Sequence, residues 1–232
     1  MNQGNKEYSE KNLCDGLKGQ SLISPLKYEP PLSEHKIKLG ILASGNGSNF
    51  EYIIKSILNK QLNAEISILI VNNPNCLAIV KAIKYNIPYV IINHRDCNSR
   101  IEHDKLVMKK LDELSVELVV MAGWMRIVGE ELINRFNNRL INIHPSLLPS
   151  FKGIDAIQQA IDKGVTISGC TVHYVQKEVD SGSIIIQAAV PLTEEDSKDT
   201  LKKRIQEMEH IILPLAIAKV ANNLKTKFMD NM

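Results

Sequence analysis

Short runs of apolar residues recur along the middle of the chain and alternate with stretches of helical pattern. From Lys36 the runs read KIKLGILA, ISILIV, PYVII, VELVVM and LINI, and they are rich in Val, Ile and Leu. Helix-like segments separate them at 49–60, 76–86, 100–115 and 128–137. Runs that are apolar on both faces and alternate with helices are typical of a parallel sheet covered on both sides. The pattern therefore predicts an open, mostly parallel α/β sheet with helices on both faces.

The pattern changes after Gly164. TISGCTVHYV and GSIIIQAAVPL, joined across QKEVDS, predict an antiparallel hairpin added at one edge of the sheet. A long closing helix is predicted over about 197–222, because apolar residues recur on roughly one face, at Leu201, Ile205, Met208, Ile212 and Leu215.

The first part of the chain lacks a sustained apolar period. Residues 1–35 are mixed in charge, rich in Ser, Asn and Lys, and interrupted by prolines, so we expect a flexible or loosely docked extension. The chain then divides into this extension, one folded domain over 36–225 and a tail over 226–232.

Composition narrows the class of protein. Apolar residues make up 44% and charged residues 23% of the chain, as in ordinary globular domains, and a net charge of +2 gives no general nucleic-acid surface. The four cysteines are scattered without a C-x-x-C pair, which favours free thiols in a reducing compartment. No signal peptide is visible, and no apolar run approaches the ~18 residues of a membrane span. We expect a cytoplasmic protein that does not enter a membrane.

The loop after the first strand, in ILASGNGSNFEYII, places Gly45 and Gly47 between a strand and a helix. A dinucleotide site is not indicated, because Phe50 stands at the third glycine position and the second strand ends in VNNPN without an acidic residue. The glycines free backbone N–H groups to face an anion at the positive end of the helix. The loop suits a single phosphate monoester, or else forms a tight turn with no ligand.

The helix after this loop has a capping-box pattern. Ser48 and Glu51 have the required spacing, which predicts a helix start near Asn49. The face expected to be buried consists of Phe50, Ile53, Ile54, Ile57 and Leu58.

The run LINI is followed by a histidine and a proline-rich loop, in RLINIHPSLLPSFKG. Asn142 lies near the carboxyl end of a predicted strand and His144 at the start of the loop beyond it, two positions on and therefore on the same side. An amide and an imidazole at a strand end can hold the oxygen charge of a tetrahedral intermediate. Asp180, in the predicted hairpin, is placed to fold over this point and to stabilise a protonated imidazole. The alternatives are a histidine that only satisfies loop carbonyls and a plain turn aspartate.

The motifs SGNGSN, AGWMRI, INIHPSLLPSFKG, VDSG and EMEHIILP occur in that order, and over about 36–222 the chain resembles the phosphoribosylglycinamide formyltransferases of purine biosynthesis. The resemblance implies a Rossmann-like formyltransferase fold and transfer of a formyl group from 10-formyltetrahydrofolate to the amine of 5-phosphoribosylglycinamide. It implies small-molecule substrates, with the protein a monomer or a homodimer.

The resemblance also implies site residues. The catalytic trio would be Asn142, His144 and Asp180. The ribonucleotide would be held by Gly47, Ser48, Asn49 and Glu209, and the folate would be bordered by Arg100, Met125, Arg126, Ile127, Val128 and Asn142. Some of these assignments have a simpler alternative: Arg100 as a solvated side chain, and Glu209 with His210 as a surface charge pair. Trp124 is either a wall of the pocket or plain core.

Two positions depart from the family pattern, and related activities compete. Ile157 stands where relatives commonly carry a histidine, and Ser181 replaces a small residue, but neither belongs to the trio.

A formyltetrahydrofolate hydrolase is expected to have a preceding regulatory domain and His-His where this chain has His144 and Pro145. A methionyl-tRNA formyltransferase is expected to have a further C-terminal domain. A non-catalytic folate- or nucleotide-binding module is the alternative from another class. The histidines show no metal-ligand spacing, so no metal is expected.

Overall fold

The computed structural model of the chain describes residues 22–25 and 36–229, with side chains described up to residue 224. The strands within these residues are β1 (Leu22–Ser24), β2 (Ile37–Ala43), β3 (Ala64–Val71), β4 (Tyr89–Ile91), β5 (Leu118–Met121), β6 (Leu140–His144), β7 (Ile167–Tyr174) and β8 (Ile184–Pro191). The α-helices are α1 (Ser48–Leu58), α2 (Ala78–Lys84), α3 (Arg100–Glu113), α4 (Glu130–Arg135), α5 (Ala156–Asp162) and α6 (Lys198–Met229), and a 3₁₀ helix spans His94–Asp96.

All the described strands belong to one sheet, in the order β1–β8–β7–β6–β5–β2–β3–β4. Strands β2 to β6 run parallel, whereas β7, β8 and β1 each pair antiparallel with their neighbours. The predicted mostly parallel sheet with an added hairpin is confirmed. The strand order reverses between β2 and β5, and the crevice outside the carboxyl ends at such a switch point is where ligands bind in open α/β sheets.

Two apolar cores lie on opposite faces of the sheet. One packs against α1, α2, α5 and α6 and contains Phe50 and Ile212, whereas the other packs against α3 and α4 and contains Leu111. Neighbouring strand residues enter different cores, as Ile41 and Leu42 do. This alternation explains why the strand sequences are apolar without interruption.

The long α6 helix closes the domain and continues beyond its predicted end near 222, to Met229. The prediction that Leu58 belongs to the buried face of α1 is wrong, because this side chain is 64% exposed. Leu58 is the last residue of α1, and the chain turns away directly after it, with Lys60 at a φ of 58°. Within the described residues, no helix is both long and apolar enough to cross a membrane.

Strand β1 lies inside the stretch for which the sequence predicted a flexible extension. Leu22, Ile23 and Ser24 pair antiparallel with Ala189, Ala188 and Gln187 of β8, and Ile23 packs against the larger core. This short piece is therefore docked on the sheet. The rest of residues 1–35 and residues 230–232 lie outside the described residues, so the predicted domain boundaries stay predictions.

Candidate active site

The candidate catalytic residues meet at the carboxyl end of β6. Asn142 and His144 are alternate residues of this strand, and His144 is its last residue rather than the first of the following loop. The antiparallel neighbour β7 places His173 opposite Asn142 and Thr171 opposite His144. Both predicted side chains therefore lie on one side of the sheet, beside the switch point.

The structure brings Asp180 to His144. The Oδ2 atom of Asp180 lies 3.3 Å from Nδ1 of His144, and both side chains are buried. The backbone N–H of Gly153 donates to the same oxygen at 2.8 Å, and Asp180 itself has a φ of 50°. Such a φ is uncommon for a residue other than glycine and is retained where the surroundings hold it in place.

The Asp180 carboxyl is held in its ionised form. Burial alone would raise its pKa, but hydrogen bonds from His173 and from the Gly153 N–H, with the positive charge available on His144, outweigh burial and lower the pKa below its usual value. The site therefore contains a buried carboxylate in contact with two imidazoles.

The second ring nitrogen of His144 also has a partner. Nε2 lies 2.8 Å from the backbone oxygen of Phe151, so the imidazole stands between a carboxylate and a carbonyl. Both neighbours are hydrogen-bond acceptors, and only a doubly protonated ring donates to each of them. The simpler interpretation, a histidine that satisfies a loop carbonyl, accounts for Nε2 but leaves the contact with Asp180 unexplained.

His173 is a site residue that the sequence analysis did not select. Its Nε2 lies 3.2 Å from Nδ2 of Asn142 and 3.5 Å from Oδ1 of Asp180, and its Nδ1 lies 2.9 Å from the Tyr174 oxygen. Nε2 thus faces both the Asn142 amide and the Asp180 carboxylate, and its role as donor or acceptor depends on the tautomer of the ring. The available signal was its position in TVHYV, on the first strand of the predicted hairpin.

The glycine loop and α6 form a second part of the site. Gly47 has a φ of 67°, and a Cβ built on it would lie 2.7 Å from Cβ of Ala78. Ser48 Oγ accepts a hydrogen bond from Gln206 Nε2 at 2.6 Å, and Asn49 Nδ2 donates to Glu209 Oε2 at 2.8 Å. The first turn of α1, directly after the glycine loop, is thus fixed to α6 through two side-chain pairs.

The predicted capping box is wrong. Gly47 is the N-cap, Ser48 is the first helical residue, and no side chain caps the helix. The Ser48 hydroxyl faces α6 instead, and Glu51 pairs with Lys81 at 2.8 Å, which lowers its pKa to about 2. The free backbone N–H groups at this helix end suit an anion.

Glu209 and His210 do not form a surface charge pair. Glu209 is buried, and burial raises its pKa to about 7 although the hydrogen bond from Asn49 opposes this. His210 stacks on Tyr52 with 3.7 Å between the ring centroids, and its pKa is lowered to about 4, chiefly by burial and then by Lys55 and Lys81.

The segment predicted to border the folate follows β5. Met125 is 79% exposed and Ile127 is also exposed, whereas Val128 is buried in the core next to α3 and α4. The Met125 N–H donates to Ser44 Oγ at 2.9 Å, which ties this segment to the loop after β2. Trp124 packs in the same core as Val128, which agrees with its interpretation as a core residue.

Not every predicted residue joins this cluster. Arg100 is the exposed first residue of α3, and its side chain forms no hydrogen bond or ion pair with the residues that the structure describes. Ile157 packs in the larger core, and Ser181 Oγ donates to the Glu178 oxygen within the turn, so both departures from the family pattern have structural roles. Over the described ranges, no group of three or more metal-ligating side chains is present.

Comparison with known proteins finds relatives over most of the chain. Residues 37–217 match the family described as formyl transferase. The trifunctional purine biosynthetic protein adenosine-3 of Homo sapiens is 38% identical over 227 residues, which cover 95% of this chain and 22% of that protein. The Bos taurus protein of the same name is 42% identical over 187 residues, or 81% of this chain and 18% of that protein. The chain thus spans about a fifth of the length of these relatives.

Solved structures resemble the fold closely. Glycinamide ribonucleotide transformylase 1 from Symbiobacterium toebii has a TM-score of 0.80 and 36% identity, with 82% of this chain and 90% of that chain covered. Phosphoribosylglycinamide formyltransferase from Bacillus halodurans has a TM-score of 0.77 and 39% identity, with 79% and 94% covered. These proteins match this chain over nearly their whole length.

Proposed function

The chain belongs to the formyl transferase family, and from this premise we propose that it transfers the formyl group of 10-formyltetrahydrofolate to the amine of 5-phosphoribosylglycinamide. The observation that carries the proposal is the contact between His144 and Asp180, with Asn142 two positions before His144 on the same strand face. The names of the structural relatives support the choice of acceptor.

The two substrates are proposed to enter from opposite sides of the trio. Gly47, Ser48 and Asn49 would hold the phosphate at the helix N-terminus, and buried Glu209 would accept hydrogen bonds from the ribose hydroxyls. The segment 125–128 and Arg100 would border the folate. This arrangement sets the amine and the formyl carbon against the end of β6.

The chemistry follows from the charges that develop. The amine nitrogen attacks the formyl carbon, and the carbonyl electron pair moves to the oxygen, where the Asn142 amide and the protonated His144 ring donate hydrogen bonds. Asp180 holds the imidazolium and receives the amine proton directly or through water. The bond from carbon to N10 then breaks, and N10 takes the proton that the amine released, returned by Asp180 directly or through water. Tetrahydrofolate and the formylated amide are the two products. The substrate oxygen competes with the Phe151 carbonyl for Nε2 of His144.

The partners and compartment follow from the same proposal. We expect small-molecule substrates, no nucleic acid, no membrane and no metal, in the cytoplasm, with the protein a monomer or a homodimer. The free state of Cys76, Cys97 and Cys170 is consistent with a reducing compartment.

One measurement tests the proposal against its competitors. Formyl release from 10-formyltetrahydrofolate is measured with and without glycinamide ribonucleotide. Equal amounts of tetrahydrofolate and formylated ribonucleotide, formed only when both substrates are present, are expected. Formate released without the ribonucleotide would indicate the hydrolase, and binding without turnover would indicate a non-catalytic module.

A further inference from the structure

One face of the long α6 helix is joined to the loop proposed to hold the phosphate, residues 45–49, which we call the anion loop. Asn49 Nδ2 donates to Glu209 Oε2 at 2.8 Å, and Gln206 Nε2 donates to Ser48 Oγ at 2.6 Å. One residue back along the loop thus corresponds to about one turn back along α6. The helix residue one turn before Gln206 is therefore the next to come beside the loop, at Gly47.

Lys202 occupies that position on α6. It lies four residues before Gln206 and seven before Glu209, and residues at these spacings share one face of an α-helix. Ile205, between them in sequence, turns instead into the larger core. The charge of Lys202 also acts on the Glu209 carboxyl, where it opposes the rise in pKa that burial causes. The ammonium group therefore lies within electrostatic reach of the contact between α6 and the anion loop.

The Lys202 ammonium is available for a ligand. Lys202 is exposed, and within the part of the chain that the structure describes its side chain forms no ion pair or hydrogen bond. Lys81, on the α2 helix that packs against the loop, is by contrast already paired with Glu51 at 2.8 Å. A phosphate monoester carries about 1.5 to 2 negative charges at pH 7, whereas a helix N-terminus supplies only about half a positive charge. A further cation is therefore expected beside the loop.

The anion loop also contains a buried group that points to a ligand with hydroxyls. Asn49 is only 7% exposed, and its Oδ1 has no hydrogen-bond partner among the described residues, although Nδ2 is bound to Glu209. Buried acceptors without a partner are rare in folded proteins. A sugar hydroxyl would supply the missing donor. The phosphate site and this acceptor thus lie at adjacent residues, as the two parts of a sugar phosphate require.

We propose that Lys202 binds the phosphate of the ribonucleotide and makes the site specific for an acceptor that carries a phosphate. The inference rests on the proposed function, because it adds one residue to the phosphate site at the start of α1. Lysine suits this position because its long stem carries a point charge to a phosphate oxygen from the helix surface. The phosphate is remote from the reacting carbonyl, so this contact is the same in the bound substrate and in the transition state. Lys202 is therefore expected to affect KM and not kcat.

Steady-state kinetics of variants of the full chain test the assignment. Lys202→Gln should raise the ribonucleotide KM by about 3- to 10-fold, with kcat and the KM for 10-formyltetrahydrofolate unchanged. Lys202→Arg keeps the charge, and its ribonucleotide KM should stay within about 2-fold of that of the parent chain. The difference between the parent chain and Lys202→Gln should shrink at high salt, because an exposed charge is screened.

The next residue of the same helix provides the matched control. Lys203 is also exposed, and it lies about 100° further around α6 than Lys202. Lys203→Gln removes the same charge from the chain and should leave the ribonucleotide KM within about 2-fold of the parent value. Glutamine forms helices about as well as lysine, so both variants are expected to fold normally.

A double variant separates the phosphate from the ribose. If Lys202 binds the phosphate, Lys202→Gln should raise the ribonucleotide KM by the same factor in a Glu209→Gln background, where the carboxylate is absent. Loss of the effect in that background would mean that Lys202 acts only through Glu209, and this would overturn the inference.

The remaining outcomes separate this inference from the proposed function. An unchanged ribonucleotide KM in Lys202→Gln, or an equal rise in Lys203→Gln, would overturn the role of Lys202 while the proposed function stands. Absence of formyl transfer by the parent chain would instead overturn the proposed function.

Discussion

The carboxylate of Asp104 accepts a hydrogen bond from the backbone N–H of Gly129, with 2.5 Å between Oδ2 and N. The preceding residue, His103, stacks on Trp124 with 5.8 Å between the ring centroids, and its Nε2 lies 3.0 Å from the Ile92 oxygen. One turn of α3 thus contacts Trp124 and Gly129, the residues that flank the segment 125–128 on either side. These two buried polar residues position the proposed folate-binding segment without being placed to touch the ligand.

Replacement of Asp104 is predicted to impair folate binding selectively. Asp104→Ala leaves the Gly129 N–H without its partner, which should cost about 1–3 kcal/mol of unfolding free energy. The KM for 10-formyltetrahydrofolate should rise, with kcat and the ribonucleotide KM little changed, and Asp104→Asn should restore part of the loss. Steady-state kinetics and thermal unfolding measure both effects.

A control on the same helix separates position from general damage. Asp112 is exposed and pairs with Arg135, so Asp112→Ala should change stability by less than about 0.5 kcal/mol. If Asp104→Ala raised the KM of both substrates equally, the proposed positioning role would be wrong.

The pair formed by His144 and Asp180 is predicted to act as one unit. His144→Ala and Asp180→Asn should each lower kcat by about 10²–10⁴, because they remove a positioned acid or its carboxylate partner. The double variant should lose far less than the product of the two losses, since the residues are in contact. Rates from single-turnover experiments, with binding of both substrates measured separately, decide the point. Losses that simply multiplied would contradict the mechanism.

The anion loop is predicted to depend on Gly47 and not on Gly45. Gly47→Ala forces an L residue to a φ of 67° and brings its Cβ within 2.7 Å of Ala78, whereas a Cβ on Gly45 meets nothing within 4 Å. The left-handed conformation alone should cost about 1–2 kcal/mol in stability. The ribonucleotide KM should rise in Gly47→Ala and stay near normal in Gly45→Ala. The same ribonucleotide KM in both variants would remove the phosphate assignment.

Glu209 is predicted to make stability fall as the pH rises. Its pKa is raised from 4.5 to about 7 in the folded chain, so the folded state binds more protons than the unfolded state between these values. The free energy of unfolding should therefore decrease by up to about 3 kcal/mol from pH 4.5 to pH 7 through this one group. Glu209→Gln keeps an acceptor for Asn49 and should be more stable than the parent chain at pH 8. Denaturant unfolding across this range tests it, and a decrease of the same size in Glu209→Gln would exclude Glu209 as its source.

Most of the sheet could be predicted because its strands are apolar on both faces. Ile41 and Leu42 enter different cores, so consecutive residues of the strand are all apolar. A strand with one face in solvent would alternate apolar and polar residues instead. The short strand β1 was missed for the opposite reason. Strand β1 has three residues, of which only Ile23 is half-buried, so it shows no periodic apolar pattern. Its position is determined by pairing with the edge of β8.

The sequence predicted the site residues that lie together on one strand. It did not predict those that meet only because separate elements pack against each other. Asn142 and His144 are two positions apart, so their convergence follows from strand geometry alone. The position of His173 beside them depends on the register between β6 and β7, which the sequence does not specify. The capping box failed for a similar reason, because Gln206 on a distant helix binds the Ser48 hydroxyl.

Within the part of the chain that the structure describes, the two outer strands of the sheet, β1 and β4, are each three residues long. A sheet that ends in short strands offers few free N–H and C=O groups to another chain, and this limits growth of the sheet from one molecule to the next. If the chain were shortened to begin at residue 36, the edge strand on this side of the sheet would be β8. This strand has eight residues, and buried side chains alternate along most of it. The segment around Ile23 therefore covers the edge of β8, which would otherwise be free to pair with another molecule. In concentrated solution, its loss would favour molecules that join edge to edge while each one still folds.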